Sequence, residues 1–236
     1  MVAGAMWAAC VTTASAQTEA DFVAAFAGDW QIHDESFAQG VQICRLALRN
    51  EAAEGRYKLD RSTCGGELAN LSTWGIVEGQ MALLAGEEVV VTLGGTQRRM
   101  SGNTKSGAPV ILERAGATGG AQQLQAAYQA SGCYYLGFTN RCAPQSELEK
   151  PRAAAEGQPV RVKVVANLNA RAEARDDAGI IGVVPANSCV TTSACVTASD
   201  GVWCRAEFGD RPGWLRKLAL RQNRWPVVTF VNSCDE

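Results

Sequence analysis

The sequence contains one histidine, His33, in 236 residues. A single imidazole leaves little from which to build a Cys/His zinc set or a histidine-based proton shuttle. No two cysteines stand at CxxC spacing, so a thioredoxin-like redox centre and a zinc ribbon are both excluded. A GxSxG nucleophile elbow is missing. The Gly-rich pieces LGGT and ATGG lack the strand, glycine and helix order of a phosphate-binding loop. Asp34 and Glu35 are adjacent and so point to opposite faces of a strand, a poor geometry for an acid–base pair. No constellation supports an enzyme, and no cofactor or metal is expected. His33 is read as a surface or strand-end residue. The charge is nearly balanced, with 22 Lys and Arg against 24 Asp and Glu and a net charge of −2. A nucleic-acid partner would need a concentrated basic surface, which this balance does not provide. No apolar stretch is long and uninterrupted enough to cross a membrane as a helix.

What is present begins with MVAGAMWAACVTTASAQ, an uncharged, small and apolar stretch that contains the small-x-small pattern Ala14-Ser15-Ala16. It reads as an export signal over residues 1–17 with Gln17 as the first mature residue, although no Lys or Arg precedes the apolar part. An alternative makes Cys10, in WAAC, the lipidated first residue of an anchored protein. Removal of Cys10 with the leader leaves Cys44, Cys64, Cys133, Cys142, Cys189, Cys195, Cys204 and Cys234. An even set of cysteines in an exported chain implies disulfides and a periplasmic or secreted location.

About 220 mature residues suggest two domains. From Phe22 to Arg114 the apolar pattern has period two, broken by Gly, Asn and Asp turns. Candidate strands lie at 29–33, 41–49, 56–60, 73–77, 80–84, 89–93, 98–101 and 110–113. In VQICRLALR, Cys44, Leu46 and Leu48 share one face. In EVVVTLGG, Val89, Val91 and Leu93 do so. Eight short antiparallel strands with one apolar face each predict a closed barrel over 18–114, because closure removes exposed edges. Trp30 is assigned to its core.

Residues 115–159 change character. Gly116–Gly120 reads as flexible, 121–130 as a short helix, and CYYLGFTNRC as a hairpin closed by a Cys133–Cys142 disulfide. PQSELEKPRAAAEGQP reads as a linker. Alternation resumes at Val160, Val162 and Val164, and further strands are expected at 182–184, 188–192, 202–208 and 213–215. The fold class is therefore all-β: an eight-stranded antiparallel barrel, then a disulfide hairpin and linker, then a small second barrel over 160–236. A barrel of that size benefits from disulfides. Hairpin geometry favours Cys195 with Cys204, leaving Cys189 for Cys234, among three possible pairings.

FAGDW at 26–30, Cys44 and Cys64 twenty apart, and the Trp74 strand followed by MALLAGEEVVV resemble the bacterial inhibitors of serralysin-type zinc proteases. The resemblance covers roughly residues 20–114 and implies an eight-stranded barrel with one disulfide. A bridge between Cys44 and Cys64 would stabilise by roughly 3 kcal/mol in the chain-entropy model. The resemblance also implies an inhibitory segment running from the barrel into the protease cleft, here Gln17, Thr18, Glu19, Ala20 and Asp21, with a secreted or periplasmic zinc protease as partner. LNARA at 168–172, IIGVVPAN, the Trp203 strand and GWL at 213–215 resemble bacterial SH3 domains of cell-envelope proteins. That resemblance implies contact with peptidoglycan or another envelope component. The alternative function is accordingly a non-enzymatic envelope-binding adaptor.

DGVWCRAEFGDRPGW places Trp203 and Trp214 on adjacent strands around a turn. A barrel this small needs large rings inside it. Trp214 is read as the packed ring, and both are candidate groove residues, Trp203 by an edge of its indole. Arg216, Lys217, Arg221 and Arg224 are read as a solvated basic face, or as a contact for an anionic envelope polymer.

Overall fold

The computed structural model describes residues 18–117, 119–208 and 211–234. The leader at 1–17, the Cys10 lipidation site and Gln17 lie outside the described residues, as do Gly209 and Asp210 of the turn between the two tryptophan strands.

The chain opens with helix α1 (Glu19–Phe26) and then forms eight strands: β1 (Gly28–Ile32), β2 (Cys44–Ala53), β3 (Arg56–Ser62), β4 (Thr73–Val77), β5 (Gln80–Ala85), β6 (Glu88–Gly95), β7 (Arg99–Thr104) and β8 (Pro109–Arg114). Each strand pairs antiparallel with the next. The ring closes where β8 returns to β1, with Trp30 opposite Arg114 and Gln31 opposite Glu113. Period-two alternation sends Trp30, Ile32, Cys44, Leu46, Leu48, Leu83, Val91, Val110 and Leu112 to one core. Both large rings inside satisfy their N–H groups: Trp30 Nε1 donates to the Phe26 carbonyl at 2.9 Å and Trp74 Nε1 to the Arg49 carbonyl at 2.8 Å. Val89 does not join Val91 and Leu93 on the inner face as expected: Val90 is the extra residue of a bulge, Leu83 pairing with Val91 and Leu84 with Val89, so Val90 is buried and Val89 is half-buried. The Cys44–Cys64 disulfide ties the start of β2 to the loop after β3.

Helix α2 (Gly119–Ser131) follows, then β9 (Tyr135–Leu136) and the single-turn helix α3 (Arg152–Ala155). The chain continues through β10 (Val160–Val164), β11 (Leu168–Arg171), β12 (Ile180–Val184), β13 (Cys189–Ala198), β14 (Gly201–Phe208), β15 (Arg211–Arg216), β16 (Leu218–Arg221), β17 (Trp225–Val228) and β18 (Phe230–Val231). Seven of these form one sheet in the order β12-β11-β15-β14-β13-β10-β18, and β16-β17-β9 form a second. Val162, Val164, Leu168, Val184, Val202, Leu215 and Phe230 make its core. The Trp214 strand is thus followed by three more strands.

Disulfides join Cys133 to Cys142, Cys189 to Cys234 and Cys195 to Cys204. Cys195 and Cys204 are direct partners across β13 and β14. The stretch read as a linker is exposed over most of its length but anchored at several points. Pro151 is buried, Ala154 joins the second core, and Lys150 reaches back to the barrel. Leu124 of α2 packs with Leu218 and Val228, and Tyr134 and Leu136 lie against them.

Candidate functional site

Three places gather the candidate residues: the N-terminal turn, the junction between the two units, and a groove beside the disulfide hairpin. At the first, Thr18 caps α1 and Glu19, Ala20 and Asp21 form its first turn, all four exposed. A helical turn stands where an extended inhibitory segment is expected. The reason is a reciprocal capping box: Thr18 Oγ1 accepts from the Asp21 N–H at 3.2 Å, and Asp21 Oδ2 accepts from the Thr18 N–H at 3.1 Å. Those bonds from Thr18 hold the Asp21 carboxyl below its ordinary value. Two acidic residues in the first turn also suit the positive end of the helix dipole. Phe22, Val23 and Phe26 then dock α1 on the barrel core. Arg114 binds the far end, donating to the Ala27 and Ala25 carbonyls at 2.6 and 2.8 Å while its guanidinium carbon lies 4.6 Å from the Trp30 ring centre. Tyr57 donates to Glu19 Oε1 at 3.3 Å.

The junction is built on the outer face of β8. Val110 and Leu112 point into the barrel, while Ile111 packs outward on Ala174, Val196, Ala198 and Trp203. Trp203, expected to present an edge of its indole to a groove, is instead fully buried here. Its face of β14 is covered by the barrel, and its Nε1 donates to Asp200 at 3.0 Å. Trp214 is half-buried against the same cluster. Arg99 of β7 grips Asp200 with both Nη atoms at 3.0 and 3.1 Å. Glu113 of β8 accepts from the Ser199 N–H and hydroxyl at 2.7 and 2.8 Å. Arg216 lies 3.5 Å from Asp200 and pairs with Asp176.

Asp34 makes a second clasp, accepting from Lys150 at 3.0 Å and from the Thr197 N–H at 2.6 Å. Burial pushes the Asp34 carboxyl up, but Lys150, Ser36 and Thr197 outweigh it and hold the group below the ordinary carboxylate value. Burial likewise raises Asp200, and the Arg99 and Arg216 guanidiniums overcome it and bring the group down. His33 Nε2 sits 3.6 Å from Glu113 at this interface. Beside it, Asp34 and Glu35 hold no shared site: Asp34 is spent on the clasp and Glu35 opens a short 3₁₀ turn.

The third place is a groove of about 420 Å³ on the second unit. Leu168 and Val227 line it, Asn169 and Asn223 stand at its rim, and Phe138 and Arg221 form one wall. Arg221 and Arg224 lie over Phe138 and Trp225 respectively, at 5.7 and 4.6 Å from the ring centres. Of the basic face read from the sequence, Lys217 belongs to the interior, and Arg216 is half-buried in its pairs with Asp176 and Asp200 and lines the groove. Lys217 is fully buried, paired with Asn232 and 4.9 Å from the Phe230 ring centre. Reasoning from the sequence singled out Phe138 only as part of a hairpin. The signal for more was an aromatic next to Gly137 inside a nine-residue cystine spacing.

Among the described residues, no group of three or more His, Cys, Asp or Glu is arranged to hold a metal ion, and no helix is long and apolar enough to cross a membrane. Four disulfides fit a location outside the reducing cytoplasm. No protein-family model and no curated protein matches the chain.

Proposed function

We propose that the chain is an exported inhibitor of a serralysin-type zinc protease, joined to an SH3-like binding module in its C-terminal unit. The observation that carries this reading is an exposed N-terminal turn, Thr18–Asp21, fixed at both ends of α1 to a closed eight-stranded barrel. Support comes also from Trp30 in the first strand and the Cys44–Cys64 disulfide, the features on which the family resemblance rests. A protein that blocks a cleft without being processed gains from rigidity, because little conformational freedom is lost on binding. The capping box, the Tyr57–Glu19 bond and the Arg114 clamp supply that rigidity. Deleting residues 17–21 from the mature chain should abolish inhibition of a serralysin-type protease while lowering Tm by only a few degrees, since the lost cap is worth about 1 kcal/mol. Full inhibition by the truncated chain would rule this reading out.

A second reading, a non-enzymatic adaptor that binds peptidoglycan or another envelope polymer, is favoured by the groove at Phe138 and Arg221. The two readings are compatible. An inhibitor held at the envelope is concentrated where it protects the cell's own proteins.

A further inference from the structure

We propose that the groove walled by Phe138 and Arg221 binds a glycan whose sugar rings carry carboxylates; this rests on the envelope-binding reading and names the ligand chemistry of its site. Phe138 is the one aromatic ring among the large apolar side chains that the described residues leave exposed, at 61%. It is also held in place. The Cys133–Cys142 disulfide closes its loop, Tyr135 and Leu136 pair in parallel with Val227 and Val228, and the Gly137 N–H donates to the Val228 carbonyl at 2.9 Å. Gly137 has φ 54°, and a Cβ there would lie 2.2 Å from the Val165 carbonyl oxygen, so only glycine allows the loop to seat this closely. A lone exposed apolar side chain is ordinary; what sets this ring apart is that it is held on a fixed support and so presents a preformed face to a ligand.

The surroundings indicate the ligand. The Arg221 guanidinium lies over the ring, 5.7 Å from its centre, and its one hydrogen bond among the described residues is a long one, 3.5 Å, to the Gly137 carbonyl. It has no acidic partner among the described residues. The Asn169 and Asn223 amides stand exposed at the rim with no side-chain bond to the rest of the described chain. The lining sets Phe138, Leu168, Leu220 and Val227 beside the polar Asn169, Asn223 and Arg221, so apolar faces and hydrogen-bonding groups stand together in one groove. That combination suits a pyranose: its C–H face stacks on the ring, its hydroxyls bond the amides, and a carboxylate meets Arg221. The groove shares Gly120 and Asp176 with the junction cleft of about 570 Å³, whose Glu113, Asp177 and Asp200 bring carboxylates to that neighbouring space and place an acidic ligand on the Arg221 side.

Wall glycan and other acidic polysaccharides share this chemistry, and calorimetry with the disulfide-intact chain separates them. The probes are an N-acetylglucosamine–N-acetylmuramic acid oligomer, an oligogalacturonate, chitotetraose as the uncharged control, and a free wall stem peptide. Binding of either acidic glycan, with chitotetraose about tenfold weaker or worse, is expected, and which of the two binds identifies the source. Phe138→Ala should weaken the bound glycan about tenfold, and Arg221→Gln should reduce it to the level of chitotetraose, both with unchanged circular dichroism. Equal binding by the variants, equal binding of chitotetraose, or binding of the stem peptide alone would overturn the assignment. Co-sedimentation with sacculi separates the two levels. If the wild type sediments and Phe138→Ala sediments equally, the groove assignment falls and the adaptor reading stands. If the wild type neither sediments nor binds any glycan, both fall.

Discussion

At the scale of single residues, the clearest departure from expectation is Lys217. The pattern RKLALR placed it on a wet basic face, yet it is fully enclosed, because β15 ends at Arg216 and the chain turns directly into β16 with the Lys217 backbone bonded to Val202 and Thr229. Burial pushes its ammonium down to about 8, with Glu147 and Glu149 pulling weakly the other way. The unfolded chain therefore keeps a proton that the folded chain has released between about 8 and the ordinary lysine value. Stability from this group rises with pH across that window. Relative to Lys217→Met, the wild type should gain roughly 2 kcal/mol of unfolding free energy between about pH 7 and pH 10, measured by urea denaturation. Parallel pH profiles for the two proteins would show that the ammonium is not desolvated.

At the scale of elements, the barrel strands were legible because period-two alternation is a direct consequence of one wet and one dry face. Cys44, Leu46 and Leu48 fall where that pattern puts them. The pattern stops being readable where both faces are dry. In β8, Val110, Ile111 and Leu112 run without interruption, and the run marks the strand whose outer face is covered by β13 and β14. The same covering explains Trp203, whose burial depends on Ile111, 92 residues earlier in sequence, which no local pattern names. Helix α1 is a different case. T-E-A-D followed by Phe22, Val23 and Phe26 is a capping box with an apolar face, a signal present in the sequence and overridden by the extended segment that the family resemblance implied. The anchoring of the 144–159 stretch could not be read, because its composition is that of a linker and its order comes from contacts such as Lys150 with Asp34 and Glu147 with the Asn232 N–H.

For the whole molecule, the two units behave as one body to the extent that the buried carboxylates between them stay ionised. Asp34 and Asp200 have folded values below the ordinary carboxylate value, so their contribution is fully present above about pH 4 and is lost as pH falls through the lowered folded values. Calorimetry should show a single unfolding transition at neutral pH and two separated transitions once the pH falls below the lowered folded values. Two transitions already present at neutral pH would mean the clasps do not couple the units. The N-terminal turn is mounted on the barrel through Phe22, Val23, Phe26 and Arg114, so the proposed inhibition does not depend on these clasps. The most direct measurement is titration of a serralysin-type zinc protease with the oxidised chain, followed by mass spectrometry of the mixture. Protease activity should fall to zero near the equimolar point with the inhibitor recovered uncut. Full activity at large excess, or cleavage of the chain at its N-terminal turn, would contradict it.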